Sequence, residues 1–347
     1  MVTVPTNITF SRRSFILMSL TLAACKGGAD VLELSGSTMG TSYSVTAIDH
    51  DRNVDKAALK QALEKSLAQV NAQMSNWDAS SEVSRFNASR SLEPMKVSRE
   101  LAKVVGASQE INSASDGQFD ITLGPVIEAW GFGAKNSGRH VEPDPAALAA
   151  AYEVAGQTDG LHVDGNYLRK SNPGTQIYLP SIGKGHGVDQ MAEVVKGFGL
   201  SDFMVEIGGD VYVSGKNADG MKWQIGIEAP DALTKTAYQV ASVSNLGMAT
   251  SGDYRNYFEQ DGVRYSHIID AHTGRPITHR TASVTVLAEN TMLADAWATA
   301  MLVLGTKRGL EIANERDLAV LFIERSAETG NKGFVSATSD RFAQLQA

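Results

Sequence analysis

The stretch Phe203-Met204-Val205-Glu206-Ile207-Gly208-Gly209-Asp210-Val211-Tyr212-Val213 decides the fold class. Apolar residues alternate with other residues on both sides of the glycine pair, which predicts two antiparallel strands joined by a tight turn. Before this hairpin, a glycine-rich segment follows the strand-like Thr175–Leu179 and leads into the helix-like Val188–Lys196. Helices interleaved with hairpin-connected strands predict an α+β fold rather than a doubly wound parallel sheet.

The regions outside this hairpin supply the other predicted elements. Amphipathic helices are predicted at Asp55–Ser75, with Asp55 as N-cap, and at Ser98–Asp116, with Gly117 as the stop. The remaining predictions are two short strands around a turn in Leu32–Ile48, strands at Trp223–Ile227, Tyr238–Val243, Ser283–Leu287 and Leu318–Ile323, a helix at Met292–Leu304 and a loop at Phe132–Pro145. No strand–GxGxxG–helix unit opens the chain, which argues against a Rossmann domain.

The overall counts exclude several classes of protein. The 347 residues carry a net charge of −8, and this acidic balance argues against a nucleic-acid-binding protein, which would show a basic footprint. A single cysteine excludes an intramolecular disulfide framework and a CxxC metal or redox site. The chain is nevertheless long enough to bury a large core.

The N-terminal residues indicate export. Residues 1–24 hold Arg12-Arg13, no acidic residue and an apolar run too short to span a bilayer, which is typical of a signal peptide. The arginine pair resembles a twin-arginine signal, and Leu22-Ala23-Ala24-Cys25 resembles a bacterial lipobox; a free buried cysteine is the alternative. Removing residues 1–24 takes away two arginines, so the mature domain 25–347 has 323 residues and a net charge of −10. We therefore expect a periplasmic-face protein held at a bacterial membrane by lipid on Cys25.

Three groups of residues suggest chemistry. Ser181-Ile182-Gly183-Lys184-Gly185-His186-Gly187 suggests a phosphate site at a helix N-terminus, although a glycine-rich turn with an incidental lysine is an equal alternative. Asp295 and Thr299 lie four apart on one helix face and offer oxygen ligands for Mg²⁺, unless this is a polar face in solvent. His267 beside a strand suits a general base or a structural hydrogen bond. The chain has no GxSxG elbow, so a serine hydrolase is not supported.

These pieces occur together, in this order, in one known family. The segments concerned are Ser37-Thr38-Met39-Gly40-Thr41, Met74-Ser75-Asn76-Trp77, Ser84-Arg85-Phe86-Asn87, Gly117 to Pro125, Trp130-Gly131-Phe132-Gly133, residues 183–185, Glu206 to Asp210, Thr250 to Tyr254, His267 to Asp270 and Asp295 to Thr299. Through them, from about Ser35 to Gly305, the chain resembles the ApbE family of FAD:protein FMN transferases.

The resemblance implies a Mg²⁺-dependent transfer. FAD would bind, its pyrophosphate would be cut, FMN would be joined through its phosphate to a threonine or serine of a target protein, and AMP would leave. The implied targets are flavin-carrying subunits of membrane redox complexes, and the implied fold is one unit with a T-fold-like β-core and FAD in a cleft. Two alternatives stay open: an FAD pyrophosphatase that gives FMN and AMP, and a non-enzymatic exported FAD-binding protein.

The resemblance also implies roles for individual residues. The implied FAD contacts are Met39, Trp77, Gln118, Phe119, Asp120, Tyr178, Lys184 and Ile269. The implied metal ligands are Ser181 through its backbone carbonyl, Asp295 and Thr299, with a further carbonyl from Ala298. His267 matches the base that takes the proton from the target hydroxyl.

The chain departs from the family pattern near the glycine–lysine turn. Tyr178 stands where the family has an aspartate, Pro180 where it has a small residue, and His186-Gly187 where it has Tyr-Ala. Ala271-His272 replaces a proline and a basic residue. These changes predict a divergent subgroup of the family, and the effect of the missing aspartate on the nucleotide contact stays open.

Overall fold

The computed structural model describes residues 29–133, 142–231, 236–327 and 333–347. The helices are α1 (Lys56–Met74), α2 (Glu82–Ala88), α3 (Arg99–Ala114), α4 (Gly124–Ala129), α5 (Pro145–Glu153), α6 (Gln157–Gly160), α7 (Gly183–Gly197), α8 (Thr291–Glu315) and α9 (Asp340–Gln346). The strands are β1 (Asp30–Thr38), β2 (Thr41–Asp49), β3 (Met95–Lys96), β4 (Leu161–Asp164), β5 (Tyr167–Lys170), β6 (Asp202–Ile207), β7 (Asp210–Ser214), β8 (Trp223–Glu228), β9 (Ala237–Val243), β10 (Leu246–Gly252), β11 (Tyr257–Gln260), β12 (Val263–Ser266), β13 (Ile269–Asp270), β14 (Arg275–Pro276), β15 (Thr281–Ala288), β16 (Ala319–Arg325) and β17 (Phe334–Thr338). The predicted signal peptide, Cys25 and residues 134–141 of the predicted loop lie outside the described residues.

The main sheet confirms the α+β prediction. Within the described residues it has eight antiparallel strands in the order β1-β2-β6-β7-β10-β15-β16-β17. The predicted β6–β7 hairpin lies in the middle of this order and turns at Gly208 and Gly209, whose φ angles of 58° and 102° glycine adopts without strain. The predicted β1–β2 hairpin is also present, with strands of nine residues rather than short ones.

Helices cover one face of the sheet and a hairpin covers the other, because side chains along a strand alternate between faces. On the first face, Val205 and Ile207 pack with α1 and α7, and Val284 packs with α3 and α8. On the second face, Val211 and Leu287 pack with the β8–β9 hairpin and α9. Helices α7 and α8 therefore lie side by side against the sheet.

The predicted helix boundaries are confirmed for the two amphipathic helices. Asp55 caps α1 by accepting hydrogen bonds from the N–H groups of Ala57 and Ala58, and Ser98 caps α3. Helix α8 contains the predicted Met292–Leu304, is interrupted by non-helical geometry at Gly305 and then continues. Of the helices that the structure describes, none combines the length and the apolar character needed to cross a membrane.

Two predictions for the segment before α7 were wrong. Thr175–Leu179 is not a strand, because side-chain amides rather than a neighbouring strand bind its backbone. Helix α7 begins at Gly183, so it includes the glycine-rich segment that the sequence placed before the helix. The glycine at 185 allows close approach of another helix: a Cβ there would lie 2.3 Å from the Thr291 carbonyl oxygen of α8.

Candidate active site

The N-termini of helices α7 and α8 lie side by side, and each helix supplies an aspartate that accepts hydrogen bonds from the first turn of the other. Asp189 of α7 accepts hydrogen bonds from the N–H groups of Thr291 at 2.7 Å and Met292 at 2.9 Å. Asp295 of α8 accepts a hydrogen bond from the Gly185 N–H at 3.1 Å. Two helix N-termini, each of which attracts negative charge, are thereby brought together.

A buried cluster of charges lies at this junction. Lys184 donates a hydrogen bond to the Asp210 carboxylate, and its Nζ lies 3.8 Å from Asp295 Oδ1. Burial raises the pKa of both carboxyl groups, and the Lys184 ammonium opposes this rise. Burial lowers the pKa of Lys184, but the two carboxylates outweigh this effect and raise it. One ammonium thus faces two buried carboxyl groups, which favours a further cation at this place.

The oxygen atoms around Asp295 fit Mg²⁺. Thr299 lies one turn further along α8, with its hydroxyl 3.0 Å from the Ser251 hydroxyl. Ser181 lies two residues before α7, next to the N-cap Ile182. The first main-chain hydrogen bond of the helix runs from the His186 N–H to the Ile182 carbonyl, so the Ser181 carbonyl lies outside the helical ladder. Hard oxygen donors with few protein ligands suit Mg²⁺, which retains waters and takes substrate phosphate oxygens.

A cleft of about 1280 Å³ opens over this junction. It exceeds the roughly 300–1,000 Å³ of sites for drug-sized ligands, so it has room for a larger ligand. Most of the candidate residues line it: Trp77, Gln118, Phe119, Asp120, Tyr178, Ser181, Lys184, His267, Ile269, Asp295 and Thr299. Two lie outside the lining set: Ala298 is fully buried within α8, and Met39 lies in the β1–β2 turn with its side chain against Gly187.

An aromatic pair forms one side of the cleft. The Trp77 side chain is 63% exposed, and its ring centroid lies 6.1 Å from that of Tyr178 with an interplanar angle of 48°. Burial, with a smaller contribution from Glu128, raises the pKa of Tyr178 to about 12. The phenol is therefore neutral, and the pair offers flat surfaces for stacking on a ring system.

Gln118 and Asp120 also form hydrogen bonds within the protein. Gln118 accepts a hydrogen bond from the Ala271 N–H at 3.0 Å, and its amide nitrogen lies 3.2 Å from His272 Nδ1. Asp120 accepts hydrogen bonds from the N–H groups of Thr122 at 2.6 Å and Gln157 at 2.9 Å. Both side chains therefore hold the wall of the cleft together, and the departure at His272 is part of this network.

His267 lines the cleft and keeps one basic ring nitrogen. Its Nδ1 lies 3.0 Å from the Asn256 carbonyl oxygen. A carbonyl can only accept, so Nδ1 carries the hydrogen and Nε2 keeps its lone pair. Burial lowers the pKa of His267, while the bond to Asn256 and the charge of Asp253 partly oppose this. The imidazole is therefore neutral at pH 7 and able to accept a proton.

Comparison with known proteins now identifies the family. The family model described as the ApbE family matches residues 39–322. The chain belongs to the ApbE family. FAD:protein FMN transferases of Vibrio cholerae and Haemophilus influenzae are each 40% identical to it, over 93% and 95% of this chain and 96% of each relative. The solved flavin transferase ApbE from Vibrio cholerae matches with a TM-score of 0.84 at 39% identity, covering 91% of this chain and 99% of that one. The apo flavinyl transferase ApbE from Pseudomonas stutzeri matches with a TM-score of 0.83 at 35% identity, covering 92% and 97%.

Sequence reasoning missed several residues of the site in this ApbE-family chain. Asp210 and Ser251 stand in motifs that carried the resemblance, but no role followed for them from the sequence. Their partners, Lys184 and Thr299, lie on the helices α7 and α8, so these contacts form only when the helices pack on the assembled sheet. Asp189 gave a weaker signal still, because an aspartate inside a helix is most often a solvated residue.

Proposed function

We propose that this protein transfers FMN from FAD to a threonine or serine hydroxyl of a target protein and releases AMP. The observation that carries the proposal is that Lys184, Asp295 and His267 line one cleft. Lys184 and Asp295 meet Asp210 in a buried charge cluster at two helix N-termini, and His267 keeps a lone pair on Nε2. The names of the relatives, FAD:protein FMN transferase, support the same reaction.

The first task of the site is to hold an anionic substrate in an acidic protein. The pyrophosphate of FAD carries about two negative charges, so the site must supply positive charge to hold it. The Lys184 ammonium offsets part of this charge, and because Asp210 and Asp295 also face it, a bound cation would supply the rest. Lys184 keeps its proton because Asp210 and Asp295 raise its pKa. Fixed charges in a site shielded from water stabilise developing charge without reorganising.

Asp295, Thr299 and the Ser181 carbonyl would hold Mg²⁺ in this site. When bound, Mg²⁺ polarises the phosphoryl oxygens that it contacts. Ser251 orients Thr299 through the 3.0 Å contact between their hydroxyls. Gly185 orients Asp295 by donating its N–H to one carboxylate oxygen, so the other oxygen faces Lys184.

His267 activates the target hydroxyl. Its Nε2 accepts the hydroxyl proton while the hydroxyl oxygen forms a bond to the phosphorus that bears riboflavin. The bond from that phosphorus to the bridging oxygen breaks, and AMP leaves with the electron pair. His267 then returns its proton to water. General-base help of this kind contributes about 10²–10⁴ in rate.

The acceptor and the location are part of the proposal. The acceptor is a flavin-carrying subunit of a membrane redox complex, and the enzyme is exported and held at the membrane by lipid on Cys25. The arginine pair and the Leu22–Cys25 segment support this location. In detergent phase separation, the wild-type protein should partition into the detergent phase and a Cys25→Ala variant into the aqueous phase. Equal retention of both proteins in the detergent phase would contradict a lipid anchor on Cys25.

Incubation with FAD, Mg²⁺ and a candidate acceptor tests the reaction. We expect a covalently fluorescent acceptor whose mass increases by one FMN unit, and AMP in equal amount. Chelation of Mg²⁺ by EDTA should stop both. Free FMN with AMP and an unmodified acceptor would instead indicate a pyrophosphatase, and intact FAD would indicate a carrier.

A further inference from the structure

The segment Thr175–Leu179 positions several residues of the candidate active site. Tyr178 lies in it, and Ser181 and Lys184 follow directly at the start of α7. The segment belongs to no sheet of the described residues. Main-chain bonds hold the N–H groups of Thr175 and Tyr178 and the carbonyl of Leu179, which accepts from the first residues at α7. Within the described part of the chain they leave the buried Ile177 and the Leu179 N–H without a main-chain partner, and buried main-chain groups need one.

Two asparagine side chains supply the missing hydrogen bonds. Asn87 accepts from the Ile177 N–H at 2.7 Å and donates to the Ile177 carbonyl at 2.8 Å. Asn76 donates to the same carbonyl at 2.7 Å and accepts from the Leu179 N–H at 2.9 Å. The bonds fall on alternate residues, 177 and 179, as those from a neighbouring strand would.

Both asparagines project from well-anchored backbone. The carbonyl of Ser75, the residue before Asn76, accepts hydrogen bonds from the hydroxyls of Ser81 at 2.7 Å and Ser84 at 3.1 Å. Near Asn87, the buried ammonium of Lys170 donates to the carbonyls of Phe86, Ser89 and Thr175 at 2.9–3.0 Å. Lys170 thus ties the end of α2 to the start of the segment.

We propose that Asn76 and Asn87 are positioning residues for flavin transfer. By fixing residues 177 and 179 they set the Tyr178 ring beside Trp77, and they set where α7 begins. They thereby place the Ser181 carbonyl and Lys184, although neither asparagine itself touches the reacting atoms. This inference rests on the proposed function and explains two asparagines of the family motifs that had no role.

The test replaces the amide donor and keeps the acceptor oxygen. In Asn76→Asp and Asn87→Asp the carboxylate faces the Ile177 carbonyl without a hydrogen to donate, so the segment should shift. Asn71→Asp is the matched control. Asn71 is also half-buried, and its amide donates to the Leu67 carbonyl at 3.0 Å and to the Thr38 hydroxyl at 3.2 Å, both of which lie outside the segment. Each variant is made in the full-length protein.

The readouts separate positioning from stability. We expect the Kd for FAD, measured by flavin fluorescence in the presence of Mg²⁺, and the half-saturating Mg²⁺ concentration for transfer each to rise about 10–100-fold in both segment variants. The control should keep wild-type values. The midpoint of thermal unfolding is measured for all three, and assays are run well below it.

Several outcomes would decide against the inference. Wild-type FAD and Mg²⁺ affinities in folded segment variants would overturn it, even if their unfolding midpoints fall. If an Asp variant does not fold, it is replaced by Asn76→Gln or Asn87→Gln, which keep both polar atoms but displace them by one methylene. FAD and Mg²⁺ affinities are then measured on these variants, and wild-type values would again overturn the inference. Failure of the wild-type protein to modify any acceptor would contradict the proposed function instead, because FAD affinity still reports on the segment.

Discussion

The cleft wall formed by α7 and α8 and the cleft wall that carries His267 hold their functional groups in different ways. In the first, Lys184 and Asp295 project from core helices whose N-termini are held together by hydrogen bonds: Asp295 accepts from the Gly185 N–H, and Asp189 accepts from the Thr291 N–H. In the second, His267 follows the two-stranded β11–β12 hairpin, whose strands pair only with each other among the described residues. The first wall is part of the core, and the second is attached to it.

Ring stacking and one ionic network make that attachment. Phe258 and Tyr265 stack at 5.0 Å, and Trp130 stacks on Tyr265 at 5.4 Å. The buried Asp253 accepts hydrogen bonds from Arg264 of β12 at 3.0 Å and from Arg325 of β16 at 2.9 Å, which ties the hairpin to the main sheet. Under the proposed function, the α7–α8 wall would bind phosphate and metal, and the hairpin wall would move a proton. Changes in the two walls should have separable effects.

The largest expected effect comes from Asp295→Asn in the first wall. Asparagine keeps an oxygen for the Gly185 N–H but loses the charge that would hold Mg²⁺. Loss of several kcal/mol of charge stabilisation corresponds to a fall in transfer rate of about 10⁴-fold. Rates are measured with the acceptor over a range of Mg²⁺ concentrations, with circular dichroism as the check on folding. A folded variant with the wild-type rate would remove Asp295 from the metal site.

A smaller effect is expected from His267→Gln in the second wall. Without the base the transfer rate should fall about 10²–10⁴-fold. FAD affinity should stay within about twofold of wild type, because the substitution leaves the α7–α8 wall untouched. Stopped-flow transfer assays and flavin fluorescence give the two numbers. Equal losses of rate and of FAD affinity would make His267 a binding residue and would show that the two walls do not have separate roles.

Gly185→Ala tests how tightly the first wall is assembled. The added Cβ would lie 2.3 Å from the Thr291 carbonyl oxygen and 2.8 Å from Asp295 Cβ, so α7 and α8 must separate. Overpacking of this kind costs about 1–3 kcal/mol in the free energy of unfolding. Urea unfolding measures it. The control is Gly106→Ala in α3, where a Cβ meets nothing within 4 Å, and there the helix preference for alanine should raise stability by up to about 1 kcal/mol. Equal effects at the two glycines would show that the helices are not in close contact.

The sequence predicted the hairpins and long helices well because each depends on a local pattern. The turn at Gly208-Gly209 and the N-cap at Asp55 both follow from residues near in the chain. The segment Thr175–Leu179 has the composition of a strand, but its partners are the side chains of Asn76 and Asn87, about a hundred residues earlier. Nothing in a local pattern distinguishes a strand from an extended segment held by side-chain amides.

The site was predictable in part for the same reason. The spacing of Asp295 and Thr299 shows that both lie on one face of a helix, whatever surrounds them. The glycine-rich segment suggested a phosphate site at a turn, whereas the structure uses Gly185 for close contact with α8 and bonds its N–H to Asp295. The pairing of Lys184 with Asp210 depends on where β7 lies beside α7, which only the assembled sheet determines.

The smallest expected effect is a pH dependence set by the second wall. His267 acts as a base only when neutral, and burial lowers its pKa, with the charge of Asp253 raising it and that of Arg264 lowering it further. As pH falls, kcat/KM should therefore stay constant down to about 6.5, the ordinary value for histidine, and decrease by up to about tenfold per pH unit below the lowered pKa. The profile is recorded at saturating Mg²⁺ for wild type and for His267→Gln, which should lose this acidic limb. A limb that persists in the variant would assign the titration to the first wall, where burial raises the pKa of Asp295, and a midpoint above 6.5 would contradict the burial of His267.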